Sequence, residues 1–275
     1  MMERLWAVYS FIMGAVFGSF LNVCISRWPE GLSVVRPRSR CPKCEHQITA
    51  LENIPLISWI VLRGKCRGCG TSISFQYPLV ELVVGLIWLA SYSTFGLSFA
   101  AARVAVFATV LLGIAVTDAK HYLIPDGFTA FGLVWVIVTG LVAMFFPETS
   151  PFAGAYGALI GACTGAGAIA IAGWLGELVL KKEAMGFGDV TLMAVVGAAV
   201  GPGRAILTIF IGALIASVVF LGVVYPITWL RARRSGGEFE PPLIPFGVFL
   251  APAAMIALLW GRPMIATYAQ SMGLQ

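Results

Sequence analysis

Two aspartates are the residues best suited to chemistry in a chain otherwise poor in charge: Asp118, within Val116-Thr117-Asp118-Ala119-Lys120, and Asp189, within Gly186-Phe187-Gly188-Asp189. Two carboxylates held together cannot both ionise easily. One keeps a proton while the other takes one from water, the division of labour of an aspartic peptidase. Gly186 and Gly188, lacking side chains, would let the backbone bend and let a helix or an extended peptide approach Asp189. Asp126, directly after Pro125, is the alternative partner for Asp189. Asp is a favoured N-cap, so Asp126 and Asp189 each have a bland reading as helix caps. Asp118 closes an apolar run, where a helix dipole repels negative charge, so capping does not account for it. The pair Asp118 with Asp189 is therefore preferred, and Asp126 with Asp189 stays second. Glu81 and Glu177 read as interfacial or interhelical hydrogen-bonding residues. A Ser or Cys peptidase fits less well, since the two histidines lack an evident nucleophile partner.

Four cysteines form a second constellation, Cys41-Pro-Lys-Cys44 and Cys66-Arg-Gly-Cys69, separated by 21 residues. In a C-x2-C turn both sulfurs converge on one ion, and two such turns complete a tetrahedral, zinc-ribbon-like site. Four thiolates close the coordination shell, so the zinc is structural and not catalytic. Disulfides are the competing reading, and a reducing cytoplasm argues against them. His46 reads as a polar loop residue, and Cys24 and Cys163 as small buried apolar ones.

The elements that position these groups are set by lipid. Of 275 residues 59% are hydrophobic and 11% charged, with a mean hydropathy of +0.90. A water-soluble domain carries about a quarter charged residues. Apolar runs predict about eight transmembrane helices, at 5–25, 78–96, 99–117, 125–146, 152–180, 190–201, 204–230 and 244–261, the sixth of them short. The fold class is thus an all-α polytopic membrane protein, rich in the small residues that let helices pack closely in lipid. The predicted organisation is a first span at 1–25, a metal-binding loop at 26–77 and a membrane domain at 78–275. Arg27, Arg36, Arg38, Arg40, Lys43, Arg63, Lys65 and Arg67 place that loop in the cytoplasm by the positive-inside rule. Alternation then puts Lys120, Lys181, Lys182, Arg231, Arg233 and Arg234 on the same face, with Arg4, Arg204 and Arg262 opposite and both termini outside. Topology accounts for the basic balance, so nucleic acid is not implied as a partner. An apolar stretch, Leu51 to Leu62, is too short to span; it packs on the metal turns or lies at the membrane interface.

Taken jointly, Gly186-Phe187-Gly188-Asp189, Asp118 with Ile124-Pro125-Asp126, Gly18-Ser19-Phe20-Leu21-Asn22-Val23, the two Cys pairs, Glu52-Asn53-Ile54-Pro55, Arg63-Gly64-Lys65-Cys66 and Tyr77-Pro78-Leu79-Val80-Glu81 resemble the bacterial type IV prepilin peptidases. The resemblance runs to about residue 200, while the last two spans match only in being hydrophobic. It implies an inner-membrane enzyme with its zinc loop and active site facing the cytoplasm. Such an enzyme removes the short basic leader of prepilins and pseudopilins after a Gly, using Asp118 and Asp189, with Asp126 in the motif but not catalytic. It further implies methylation of the new N-terminus with S-adenosylmethionine, for which Gly64 and its neighbours are the candidate location. Two other readings share the buried acids: a presenilin-like intramembrane peptidase, whose pattern lacks the Cys pairs, and a transporter with intramembrane carboxylates.

Overall fold

The computed structural model describes residues 2–145, 149–181, 185–235 and 243–273, which form ten α-helices and no strand. Phe146, at the end of the predicted fourth span, and Lys182 lie outside the described residues. The chain divides into two compact units, Met1–Gly113 and Ile114–Gln275.

The N-terminal unit contains α1 (Met2–Arg27), the short α2 (Ile57–Val61), α3 (Gln76–Phe95) and most of α4 (Phe99–His121). Small residues bring α1 and α3 into backbone contact. A Cβ on Gly14 would stand 2.7 Å from the Val84 carbonyl, and one on Gly18 would stand 2.7 Å from Glu81 Cα. This is the small-xxx-small logic of helix pairing in lipid. Phe17 and Trp88 stack at 4.6 Å along the same seam, and Trp88 Nε1 donates to Thr109 Oγ1 at 3.1 Å. Gly18→Leu should therefore lower stability by about 1–3 kcal/mol, the usual cost of overpacking. A thermal melt in detergent checks this against Gly167→Leu, where no atom stands within 4 Å and the melt should not move.

The C-terminal unit holds the end of α4, then α5 (Asp126–Ala143), α6 (Ala155–Leu180), α7 (Phe187–Val200) and α8 (Pro202–Val219). A π-turn at Phe220–Val224 carries α8 into α9 (Tyr225–Ser235), and α10 (Gly247–Ser271) follows. The backbones of α6 and α7 touch. A Cβ on Gly161 would collide with the Gly197 carbonyl, and one on Gly165 with that of Met193. On the side opposite the predicted catalytic face, Arg204 is not a free loop charge: it is buried, and its guanidinium donates to the Pro151 carbonyl at 2.6 Å and the Leu258 carbonyl at 3.2 Å.

Seven described helices are long and apolar enough to cross a bilayer, α8 with the π-turn and α9 as far as Arg231 making one of 30 residues. The expected sixth span is α7, 14 residues or roughly 21 Å, short of the ~30 Å hydrocarbon core. Leu192, Met193, Val195, Val196 and Ala199 are all enclosed, because α5, α6, α8 and α10 pack around α7. Elsewhere large apolar side chains face outward in stripes, such as Leu5, Val8, Tyr9, Ile12 and Val16 on α1. Such stripes suit lipid, not water. The chain is a multi-pass membrane protein. Cys24 is buried as expected, whereas Cys163 lies exposed on α6 and not buried.

Candidate functional site

Asp118 sits in the last turn of α4 and is 5% exposed. The helix ends just beyond it. Tyr122 adopts a left-handed φ of 52°, its N–H bonded to the Asp118 carbonyl at 2.9 Å, and Pro125 forbids continuation. The dipole of its own helix disfavours Asp118, but a second helix answers it. The side chain lies against the N-terminus of α10, where the Val248 N–H donates to Oδ2 at 3.3 Å and the Gly247 N–H also points at the carboxylate. Unpaired amides at a helix start make a ready anion site. Gly247 is required there, since a Cβ would stand 2.9 Å from Oδ2 and 3.1 Å from Ile124 Cδ1.

Asp189 is the third residue of α7. It is not the cap. Gly186 holds the cap position with no side-chain cap bond, and its N–H faces the Asp189 carboxylate. The ends of α4 and α7 that carry the two aspartates meet at Ile124, which stands 3.1 Å from a Cβ on Gly247 beside Asp118. Ile124 packs between the two helix starts that serve them: a Cβ on Gly188 would stand 2.9 Å from Ile124 Cβ. Gly186 is different, with ordinary extended backbone (φ −75°) and nothing closer than 4.0 Å to an added Cβ. Gly186→Ala should leave peptide cleavage within about twofold of wild type. Gly188→Ala should lower it roughly ten- to a hundredfold by shifting Asp189, as small misplacements of catalytic groups do. Initial rates on one peptide substrate compare the two.

Asp126 opens α5 exposed, and Pro125, not Asp126, holds the cap position before it. Glu177 is likewise exposed, on α6. Gly247, Val248 and Ile124 were not singled out as site residues from sequence. The available signal was Ile244-Pro245-Phe246-Gly247, a Pro and a Gly at the threshold of an apolar run, where a helix N-terminus and a close approach coincide.

The four cysteines of the N-terminal unit form a separate centre. All four sulfurs lie within 4.8 Å of one another, with Cys41 to Cys69 and Cys44 to Cys66 each at 3.9 Å. A tetrahedral ion with Zn–S bonds of ~2.3 Å needs sulfurs ~3.8 Å apart, so the residues fit. The two turns are built alike. The Cys41 and Cys66 amides bond to the His46 and Thr71 carbonyls at 2.9 and 2.8 Å, and isolated bridges pair Arg40 with Gln47 and Lys65 with Ser72. Backbone amides of Cys44 and Lys43 pull the Cys41 thiol down to about 6, and that of Thr71 lowers Cys69. The His46 amide also favours a thiolate at Cys44, yet the sulfur of Cys69, desolvation and the remaining sulfurs raise it to about 12. Metal-free, the cluster shares protons; a cation would replace them.

His46 is not a fifth ligand. Its Nε2 meets Glu52 at 3.2 Å, and Glu52 also accepts from the Thr49 N–H at 2.9 Å and lies 3.7 Å from Arg67. The Thr49 amide chiefly, with the Thr49 hydroxyl and His46, holds the Glu52 carboxyl down at about 2. Glu52 thus ties the first metal turn to the second. Gly64 has φ +65°, and the Trp59 ring stands 2.9 Å from where its Cβ would be. Its N–H bonds to the Trp59 carbonyl and its own carbonyl accepts from Ile73.

Residues 12–95 match the model of the bacterial peptidase A24 N-terminal domain, and residues 105–221 match that of the type IV leader peptidase family. A protein of Stutzerimonas stutzeri named prepilin leader peptidase/N-methyltransferase is 40% identical over 94% of this chain and 92% of its own. Proteins of the same name from Pseudomonas aeruginosa and Bacillus subtilis are 38% and 33% identical, over 95% and 94% of this chain and 93% and 96% of theirs. No solved structure matches.

Proposed function

The chain belongs to the type IV leader peptidase family, and on that premise we propose that Asp118 and Asp189 are the catalytic dyad that cleaves the leader peptides of prepilins and pseudopilins. The enzyme also N-methylates the residue that cleavage exposes. The observation that supports the dyad is the packing at Ile124, which lies against both Gly247, the neighbour of the Asp118 carboxylate, and Gly188, the residue before Asp189. We assign the role of base to Asp118, which the α10 amides face, and that of acid to Asp189. Asp118 takes a proton from water, which attacks the carbonyl carbon of the leader's Gly. Asp189 hydrogen-bonds that carbonyl oxygen and supplies its proton as the C–N bond breaks and the amine leaves. The prepilin's hydrophobic helix stays in the bilayer and its basic leader in the cytoplasm, on the side of the basic loops of the inner-membrane enzyme. Relatives named as leader peptidases favour this over a presenilin-like or transporter role.

The residues assigned to zinc are Cys41, Cys44, Cys66 and Cys69, in a loop we take as residues 26–77. When bound, the ion supplies a rigid cross-link between the two turns. S-adenosylmethionine is the methyl donor that the resemblance implies. The groups around Gly64 do not by themselves fit a donor pocket: its N–H and carbonyl are already bonded and the Trp59 ring fills the space beside it. Gly64 therefore acts through the fold of the loop.

Incubation of the purified enzyme with a prepilin, followed by mass spectrometry, tests both activities. Loss of the leader mass is expected at once, and gain of one methyl on adding S-adenosylmethionine. An intact prepilin after prolonged incubation would overturn the proposal.

A further inference from the structure

Within the N-terminal unit, α2 is sorted into two faces. Trp59 points inward, its Nε1 donating to the Ile73 carbonyl at 3.3 Å and its ring lying over Gly64. Ile57, Ile60 and Val61 point outward, Ile60 and Val61 being 67% and 72% exposed, whereas Phe75 packs edge-on against the Trp59 ring at 5.8 Å. Three large apolar side chains bared on one face of a non-spanning segment mark a contact surface.

The position of this surface is set by Glu81. Its carboxylate is 8% exposed and accepts the Leu56 N–H at 2.8 Å, one residue before α2 begins, and it also bonds the Ser19 side chain of α1. Leu56 takes a left-handed φ of 63°, unusual for a leucine, to present that N–H. Glu81 lies five residues into α3, about 7.5 Å along its axis. All 20 residues of α3, about 30 Å, are needed to cross the hydrocarbon. The start of α2 is therefore tied to a group about 7.5 Å from the end of a membrane span, within the roughly 5–10 Å to which interfacial helices sink their apolar faces. Exposed Arg63 and Lys65 follow immediately, as basic residues flank the apolar face of interfacial helices.

We propose that α2, through Ile57, Ile60 and Val61, is a membrane-surface foot that lies in the headgroup layer of an anionic bilayer and holds the metal-binding loop flat against it. The occupant is phospholipid: the surface continues from a span, and the charges beside it are of the sign that anionic headgroups attract. This goes beyond the peptidase reading and is testable without any enzymatic turnover.

A photo-crosslinking residue, p-benzoylphenylalanine, replaces Ile60 in the full-length, zinc-loaded protein reconstituted in phosphatidylethanolamine/phosphatidylglycerol vesicles. A matched protein carries it at Lys43, exposed in the first metal turn. One zinc per chain in each confirms that the loop is folded. Irradiation should add a phospholipid mass at position 60 at least about fivefold more often than at 43, as for a buried interfacial face. Equal lipid yields, or a cross-link from 60 to a second copy of the chain, would overturn the foot. So would replacement of the lipid adduct by a prepilin adduct when prepilin is added, which would make the face a substrate groove.

Discussion

Asp118→Asn and Asp189→Asn should each reduce leader cleavage at least about a hundredfold, the lower range for loss of an essential acid or base. The substitution nearly preserves shape, and at position 118 the carbonyl oxygen of the introduced amide can still accept the Val248 N–H that meets the carboxylate at 3.3 Å in the native protein. The helices should stay packed. What disappears is the exchange of one proton between two acids, because an amide neither takes a proton from water nor donates one as an acid does. Asp126→Asn is the matched control: its side chain is exposed and forms no cap, so activity should stay within about twofold. Mass spectrometry of a prepilin gives all three rates in one format. Full cleavage by either dyad variant would sink the assignment.

The second large effect concerns the metal. Cys66→Ser, or prolonged chelation of the wild type, should empty the four-sulfur site and abolish methyl transfer, while leader cleavage persists at a measurable rate. Without the ion the two metal turns are joined to each other weakly. They are linked by Glu52 through His46 and Arg67, the latter at 3.7 Å and largely exposed, and exposed ion pairs contribute little. Metal binding in such small modules amounts to the folding free energy itself, about 10–16 kcal/mol for structural zinc. Asp118 and Asp189 are held by α4, α7 and α10 in the other unit. Metal content by mass spectrometry, read beside the two product masses, checks the split. Equal loss of both activities would show that cleavage needs the loop as well.

Much of this was legible because lipid makes charge scarce. With 13 acidic residues in 275, a carboxylate at the end of an apolar run has few innocent explanations. The dipole argument singled out Asp118 but could not supply what answers its charge. A helix can be predicted from its own periodicity, whereas the meeting of Asp118 with the start of α10, 129 residues later (247 minus 118), is a tertiary fact. The same limit applied to Cys163: composition says that a cysteine in a span is apolar, not whether its side of the helix is buried. The cysteine turns were readable in full, since C-x2-C spacing is local geometry. The shortness of α7 was visible too, but its encasement by four helices was not.

The dependence of Asp118 on Gly247 and Val248 has a consequence in time. Chains are made from the N-terminus, so the segment that α10 opens leaves the ribosome after every other helix described. Until it inserts, Asp118 has no amides to receive it and the dyad is half built. If Asp118 is catalytic as proposed, a nascent chain already sharing the bilayer with its substrates is expected to stay inactive until Gly247 and Val248 have inserted beside it.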